Sequence, residues 1–435
     1  MKVNNESSQT ADKIASQGEQ AAAVESMPAS TSPLRTKPFP SWPQWGEAEE
    51  EMLRKVLYAG QWGTLGDQAM SFASRFAAFQ DCQYGIAVNN GTQALEIAMR
   101  GLGLGFGDEV ILPAYTFIAT ASAVCACGIT PVFADIDPAT MLLDAADAER
   151  RITPRTRAII AVHYAGRPCD MDAIMAVASA HGLKVIEDCA QAHGASFRGR
   201  KVGSFGDVGT FSFQETKNLP AGEGGMIVTN NKEVFAECWH YHTSGRALEG
   251  SAELGGLVLM GTNARMAEWE AGILHVQMDK LEGQMAKRTE NARLLRELLK
   301  DEDWLELPAQ DERITCHAYH LFTMTLKKDV LGMSREEWIR RVSAEGIPVS
   351  ASYNPLYRDV MFSSANFRRM CAPVSGSAVT FASCALESGS MAASDDCKAV
   401  EEAAPWNVYL TQNVLLAEAE DMQDIVKVFR KVLGR

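Results

Sequence analysis

Three short stretches hold residue types that could do chemistry together. Lys217 lies in Thr210-Phe-Ser-Phe-Gln-Glu-Thr-Lys-Asn-Leu-Pro-Ala-Gly-Glu-Gly-Gly225. An aromatic, alternating strand pattern ends at Phe213 and an apolar one begins at Met226. A lysine on a loop between two core strands is partly desolvated, which lowers its pKa and makes the free amine a nucleophile toward carbonyls. An ordinary exposed lysine is the alternative, and the neighbouring stretches decide between them. Asp188 ends the apolar run that starts at Leu183. In open α/β sheets ligands bind at the carboxyl ends of strands, so Asp188 is placed either to meet one or to cap a helix. Gly85–Val88 reads as a strand, Asn89-Asn-Gly-Thr92 as a turn and Gln93–Arg100 as a helix. A helix N-terminus after a small-residue turn is an anion site, and Thr92 can cap it, bind the anion, or both. An imine-forming lysine and a carboxylate that keeps a ring nitrogen protonated are the two groups pyridoxal phosphate needs, and the turn supplies its phosphate site.

The elements that must position these groups alternate between residues 84 and 229. Strands are expected at Gly85–Val88, Glu109–Leu112, Thr130–Ala134, Ala158–Val162, Lys184–Glu187, Thr210–Phe213 and Met226–Thr229. Helix patterns fall between several of them, as at Asp170–His181. This is the βαβ signature of a mostly parallel sheet with helices on both faces. Gly101-Leu-Gly-Leu-Gly-Phe-Gly107 looks like a dinucleotide fingerprint but precedes a strand, so it reads as a helix end and turn. Beyond residue 280 the pattern becomes α+β, with strands expected at His317–Leu326 and Gly346–Ser350 and helices at Ser334–Ala344 and Met422–Val432.

The chain has 435 residues, 46% of them hydrophobic and 22% charged, which suits a large domain plus a smaller one. A net charge of −14 argues against nucleic acid and anionic membranes as partners. The ten cysteines form no CxxC pair, and Cys238-Trp-His-Tyr-His242 lacks the further ligands of a metal site, so no metal is expected. Free thiols, no membrane-length apolar run and no signal pattern make the cytoplasm the expected location. Residues 1–38 read as a disordered polar tail and residues 363–396 as an irregular insertion. His163, at a strand end, reads as a core or edge histidine, and 244–263 as a mobile loop near the mouth of the site.

An ordered set of words carries a family resemblance: Asn90-Gly-Thr92, Pro113-Ala-Tyr-Thr-Phe117, Glu187-Asp-Cys-Ala-Gln191, Phe211-Ser-Phe213, Lys217-Asn-Leu219, Gly222-Glu-Gly-Gly225 and Asn263-Ala-Arg-Met266. From about residue 39 the chain resembles the DegT/DnrJ/EryC1/StrS sugar aminotransferases, which are PLP-dependent. The resemblance implies the aspartate-aminotransferase fold: a three-layer, mostly parallel seven-stranded sheet over residues 39–275 and a smaller α+β domain over 276–435. It implies pyridoxal 5′-phosphate bound to Lys217 and the ring nitrogen held by Asp188. Gln191 would bond the phenolic oxygen and Phe117 would stack on the ring. Gly91, Thr92, Ser212 and the partner subunit's Asn263 would hold the phosphate, which requires a homodimer with shared active sites. Trp62 and Thr64 become possible substrate contacts, and Tyr353-Asn-Pro-Leu-Tyr357 resembles the substrate-side loop. The amino donor would be glutamate or glutamine, and the acceptor an NDP-linked keto-sugar or a keto-cyclitol. Many nucleotide-sugar members have His where this chain has Gln214. That departure, with the Trp-Pro opening, is more like branches that aminate keto-cyclitols or make aminohydroxybenzoate. A sugar-dehydratase branch replaces the lysine with histidine, and Lys217 argues against it. A non-catalytic regulator of the same fold is the reading from a different class.

Overall fold

The structure is a computed structural model that describes residues 32–63, 66–247, 257–362 and 397–435. The expectations for residues 1–31, for Thr64, for the middle of the 244–263 loop and for residues 363–396 fall outside the described residues. Leu34–Arg435 forms one compact unit.

Seven strands make the central sheet: β1 (Tyr84–Val88), β2 (Glu109–Pro113), β3 (Thr130–Ala134), β4 (Thr156–Val162), β5 (Lys184–Asp188), β6 (Val208–Ser212) and β7 (Gly225–Thr229). Their order is β1-β7-β6-β5-β4-β2-β3. All neighbours pair in parallel except β7, which runs antiparallel to both β1 and β6. Every strand expected between residues 84 and 229 is present within two residues of its expected ends, because strands covered on both faces read as near-continuous apolar runs.

Alternation divides each strand between two helical layers. Ile86, Val88 and Ile227 pack against α3 (Gly91–Gly101), α4 (Ile118–Ala126) and α7 (Lys232–His242). Ala87, Met226 and Val228 pack on the other face, against α2 (Asp67–Phe79) and α8 (Glu268–Leu299). α6 (Met171–His181), capped by Asp170, covers the rest of that second face. The three-layer arrangement leaves the carboxyl ends of β1, β2, β4, β5 and β6 along one edge, where β7 begins.

The second half of α8 carries a four-stranded antiparallel sheet in the order β8-β9-β11-β10: β8 (Leu305–Glu306), β9 (Leu321–Leu326), β10 (Val349–Ala351) and β11 (Asn407–Thr411). α9 (Arg335–Ala344) and α10 (Ala419–Val432) close its core around Trp304, Trp338 and Phe429. The expected domain division at 275/276 falls inside α8. Among the described residues no helix is long and apolar enough to cross a membrane.

Two expectations change. The packed chain begins before Phe39: Arg35 is buried, and its Nη1 donates to Asp421 Oδ1 at 2.8 Å. The strand expected at His317–Leu326 starts only at Leu321, because Tyr319 adopts a left-handed conformation at φ 48° and bends the backbone.

Candidate active site

A cavity of about 1060 Å³ opens at the carboxyl edge of the sheet. The turn after β1 supplies its floor. Asn90, not Thr92, caps α3, with Oδ1 accepting from Gln93 N–H at 2.8 Å. That leaves the Thr92 hydroxyl uncommitted to the cap, and the Gly91 and Thr92 N–H groups have no acceptor within the helix. Gly91 lies against the end of β6: a Cβ there would meet Ser212 Cβ at 2.7 Å. Gly225 is equally constrained, since a Cβ would meet Asn90 O at 2.4 Å. Two glycines thus let the helix N-terminus and the Ser212 hydroxyl approach one point.

Asp188 ends β5 and is 6% exposed. Its Oδ2 accepts from Thr120 Oγ1 at 2.9 Å and its Oδ1 from Ala190 N–H at 3.2 Å. Burial pushes the carboxyl up from its ordinary range, while Thr120, Ala190 and Lys217 pull the other way. Lys217 lines the same cavity, and its backbone is held by Trp42 Nε1, which donates to Lys217 O at 3.2 Å. Burial pushes its ammonium pKa down, opposed by the Asp188 charge. The pair therefore offers an amine that loses its proton easily and a carboxylate that gains from meeting a cation.

Behind this pair lie two buried histidines. His193 is fully buried, and burial holds its pKa down at about 3. Its Nε2 lies 2.8 Å from Ser212 O, which can only accept, so Nε2 carries the proton and pins the end of β6. His163 bonds Glu187 Oε2 at 3.1 Å and is buried away from the cavity. Glu187 also accepts from the Gly203, Phe205 and Gly206 N–H groups, so the buried His163, Glu187 and Cys189 cluster is a hydrogen-bonded hub.

The expected site residues divide into two groups. Gly91, Thr92, Phe117, Asp188, Gln191, Ser212 and Lys217 converge on the cavity. Phe117 is 52% exposed within it, not packed in the core. Gln191 is oriented from both ends: Oε1 accepts from Ala165 N–H at 2.6 Å, and Nε2 donates to Tyr353 Oη at 3.1 Å. Asn263 is exposed and does not line this cavity. Trp62 does not line it either; it packs against Trp269 with ring centroids 6.4 Å apart.

Sequence reasoning missed Thr120, His320, Tyr409 and Gln412, all on the cavity wall. Of these only Tyr409 carried a signal: it alternates with the buried Val408 and Leu410 along β11. Among the described residues lining the cavity, Lys217 is the one cation, facing the carboxylates of Asp188, Glu215 and Glu223.

Known proteins match this architecture. The model of the DegT/DnrJ/EryC1/StrS aminotransferase family matches residues 43–403. An L-glutamine:2-deoxy-scyllo-inosose aminotransferase of Streptoalloteichus tenebrarius is 38% identical over 353 residues, covering 78% of this chain and 83% of its own. An L-glutamine:scyllo-inosose aminotransferase of Streptomyces griseus is 36% identical over 419 residues, covering 92% and 95%. Among solved structures, 3-amino-5-hydroxybenzoic acid synthase superposes with a TM-score of 0.80 at 32% identity, covering 91% of this chain and 99% of its own. With the family model spanning residues 43–403 and a seven-stranded, mostly parallel sheet at its centre, this chain belongs to the DegT/DnrJ/EryC1/StrS aminotransferases.

Proposed function

We propose that this aminotransferase uses pyridoxal 5′-phosphate to move the amino group of L-glutamine onto a keto-cyclitol. The observation that carries the acceptor is the charge of the cavity wall: among the described lining residues one cation, Lys217, stands against three carboxylates. A nucleotide diphosphate would bring two further negative charges toward Glu215 and Glu223, with no guanidinium among the described lining residues to meet them. A neutral polyhydroxylated ring instead finds hydrogen-bond partners in Glu223, Tyr353, Tyr409 and Gln412. The relatives named for glutamine and inosose substrates favour the same reading.

The residues fit the cofactor. The Gly91 and Thr92 N–H groups and the Ser212 hydroxyl converge where a phosphate would sit, beside a helix N-terminus. Asp188 can accept an N–H from a ring nitrogen, and Lys217 supplies the amine for covalent attachment. When bound, pyridoxal phosphate supplies an electron sink for the carbon that loses a proton. Lys217 Nζ would take the proton from the donor carbon that bears the amino group. In the second half it returns a proton to the carbon that was the acceptor's carbonyl carbon. Asp188 would keep the ring nitrogen charged, Phe117 would cover a ring face, and Gln191, held by Ala165 and Tyr353, would meet the ring's oxygen. Asn263, exposed on its own subunit, would complete a neighbour's phosphate site in a homodimer.

Visible absorption of the purified protein with PLP tests the reading. A band that glutamine bleaches, and that 2-deoxy-scyllo-inosose then restores, is the expected result. Persistence of transamination in Lys217→Ala would refute the role of Lys217. A band that only a nucleotide-linked keto-sugar restores would refute the acceptor.

A further inference from the structure

A second cavity of about 340 Å³ lies on the other side of the bent 317–320 segment, and Leu321 lines both cavities. Two guanidiniums face it. Arg167 is 7% exposed, and its Nε is buried with no hydrogen-bond partner. Among the described residues its guanidinium makes no ion pair either. Arg296 is half-buried and donates from Nη2 to Pro308 O at 2.9 Å, leaving the rest of its fork toward the cavity.

Neutral donors surround them. His317 Nδ1 accepts from Tyr319 N–H at 2.9 Å, so the proton of the neutral ring is on Nε2, a donor. The His317 and Tyr319 rings stack with centroids 3.9 Å apart, and the left-handed Tyr319 keeps them at the cavity wall. Two acids also line the cavity. Asp311 is already engaged: Arg313 Nε donates to its Oδ1 at 3.0 Å and Nη2 to its Oδ2 at 2.8 Å. Glu312 is exposed.

A nearly buried guanidinium without a counter-ion is unfavourable, and a second guanidinium beside it adds repulsion. Burial and Arg296 both push the Arg167 pKa down, with Asp311 opposing. An anion between the two forks would relieve both effects with charge-assisted, bidentate hydrogen bonds. We propose that this cavity is an anion-binding site in which Arg167 and Arg296 clamp the phosphate or carboxylate group of a small molecule, with His317 Nε2–H and the Tyr319 hydroxyl as further donors. The site does not depend on the acceptor assigned above.

The test uses PLP-loaded protein, so that the cofactor's own phosphate site is filled. Thermal unfolding is followed against inorganic phosphate and, separately, succinate, each matched in ionic strength with chloride. The wild type is expected to gain stability saturably with at least one anion, and which one it is tells a phosphate ligand from a carboxylate. Arg167→Met is expected to be no less stable than wild type in chloride and to need at least tenfold more anion for the same shift. Equal responses in wild type and Arg167→Met overturn the proposal, as does a wild type that responds to neither anion. A loss of stability in chloride equal to the loss in anion would make Arg167 a structural group and also overturn it. Should Arg167→Met fail to fold, Arg296→Met carries the same comparison.

Discussion

The contact between Gly91 and Ser212 makes a sharp prediction. A Cβ at residue 91 would lie 2.7 Å from Ser212 Cβ and 3.3 Å from Ser212 Cα. Unbonded carbons prefer about 3.5–4.0 Å, so Gly91→Ala must separate α3 from the end of β6 by about 0.8 Å or more. Ser212 cannot simply retreat, because His193 holds its carbonyl and Gly225 pairs with it across the sheet. The strain costs about 1–3 kcal/mol of stability. The larger effect falls on the phosphate, which needs the helix N–H groups and the Ser212 hydroxyl at one point. Opening that point should weaken PLP binding by roughly tenfold to a hundredfold, or about 1.4–2.7 kcal/mol. The assay is titration of the apoprotein with PLP, followed by the visible band, with circular dichroism to confirm folding. Ser212→Gly in the same chain removes the clashing Cβ, so the double variant should bind no worse than Ser212→Gly alone. Gly91→Ala binding PLP with wild-type affinity would refute the phosphate site, since the clash cannot be avoided without moving one of its two walls.

Acid should destabilise the protein. His193 and His242, held by burial at about 3 and about 4, stay neutral in the fold while the unfolded chain takes up protons below about 6.5. The unfolded state then binds more protons, so stability falls as the pH drops through that window, by about 2 kcal/mol for each histidine between pH 7 and pH 5. Urea unfolding at the two pH values checks this, and equal midpoints would refute it. Phe76→Ala should cost about 3–5 kcal/mol, since Phe76 is fully buried among Phe72, Phe211, Phe213 and His193; the urea midpoint reads it. Thr120→Val removes a hydrogen bond to the buried Asp188 carboxylate, worth about 1.5–3 kcal/mol. Its PLP-loaded form should lose transamination by roughly tenfold or more while losing no more than about 3 kcal/mol of unfolding free energy in urea, and unchanged activity would show that Thr120 does not orient Asp188.

The sequence by itself determined the strands and the groups at their ends. Strands buried on both faces must be apolar along their length, so β1 to β7 are legible one by one. Gly91, Thr92, Asp188, Ser212 and Lys217 follow or end those runs, and short stretches of chain place them at the same edge. Tertiary structure alone decided what stands opposite them. Thr120 meets Asp188 across 68 residues, Tyr353 meets Gln191 across 162, and Arg35 finds Asp421 across 386. No local pattern encodes such pairs, because each side chain is an ordinary polar residue of its own element until folding brings the other within hydrogen-bonding distance. The bend at Tyr319 is of the same kind. The alternation from His317 to Leu326 suits a strand throughout, yet Ala318 N–H bonds Gly166 O and Asn218 Nδ2 bonds Ala318 O, and these contacts from distant segments hold the chain out of the sheet. The bent segment supplies His317 and Tyr319 to the wall of the second cavity.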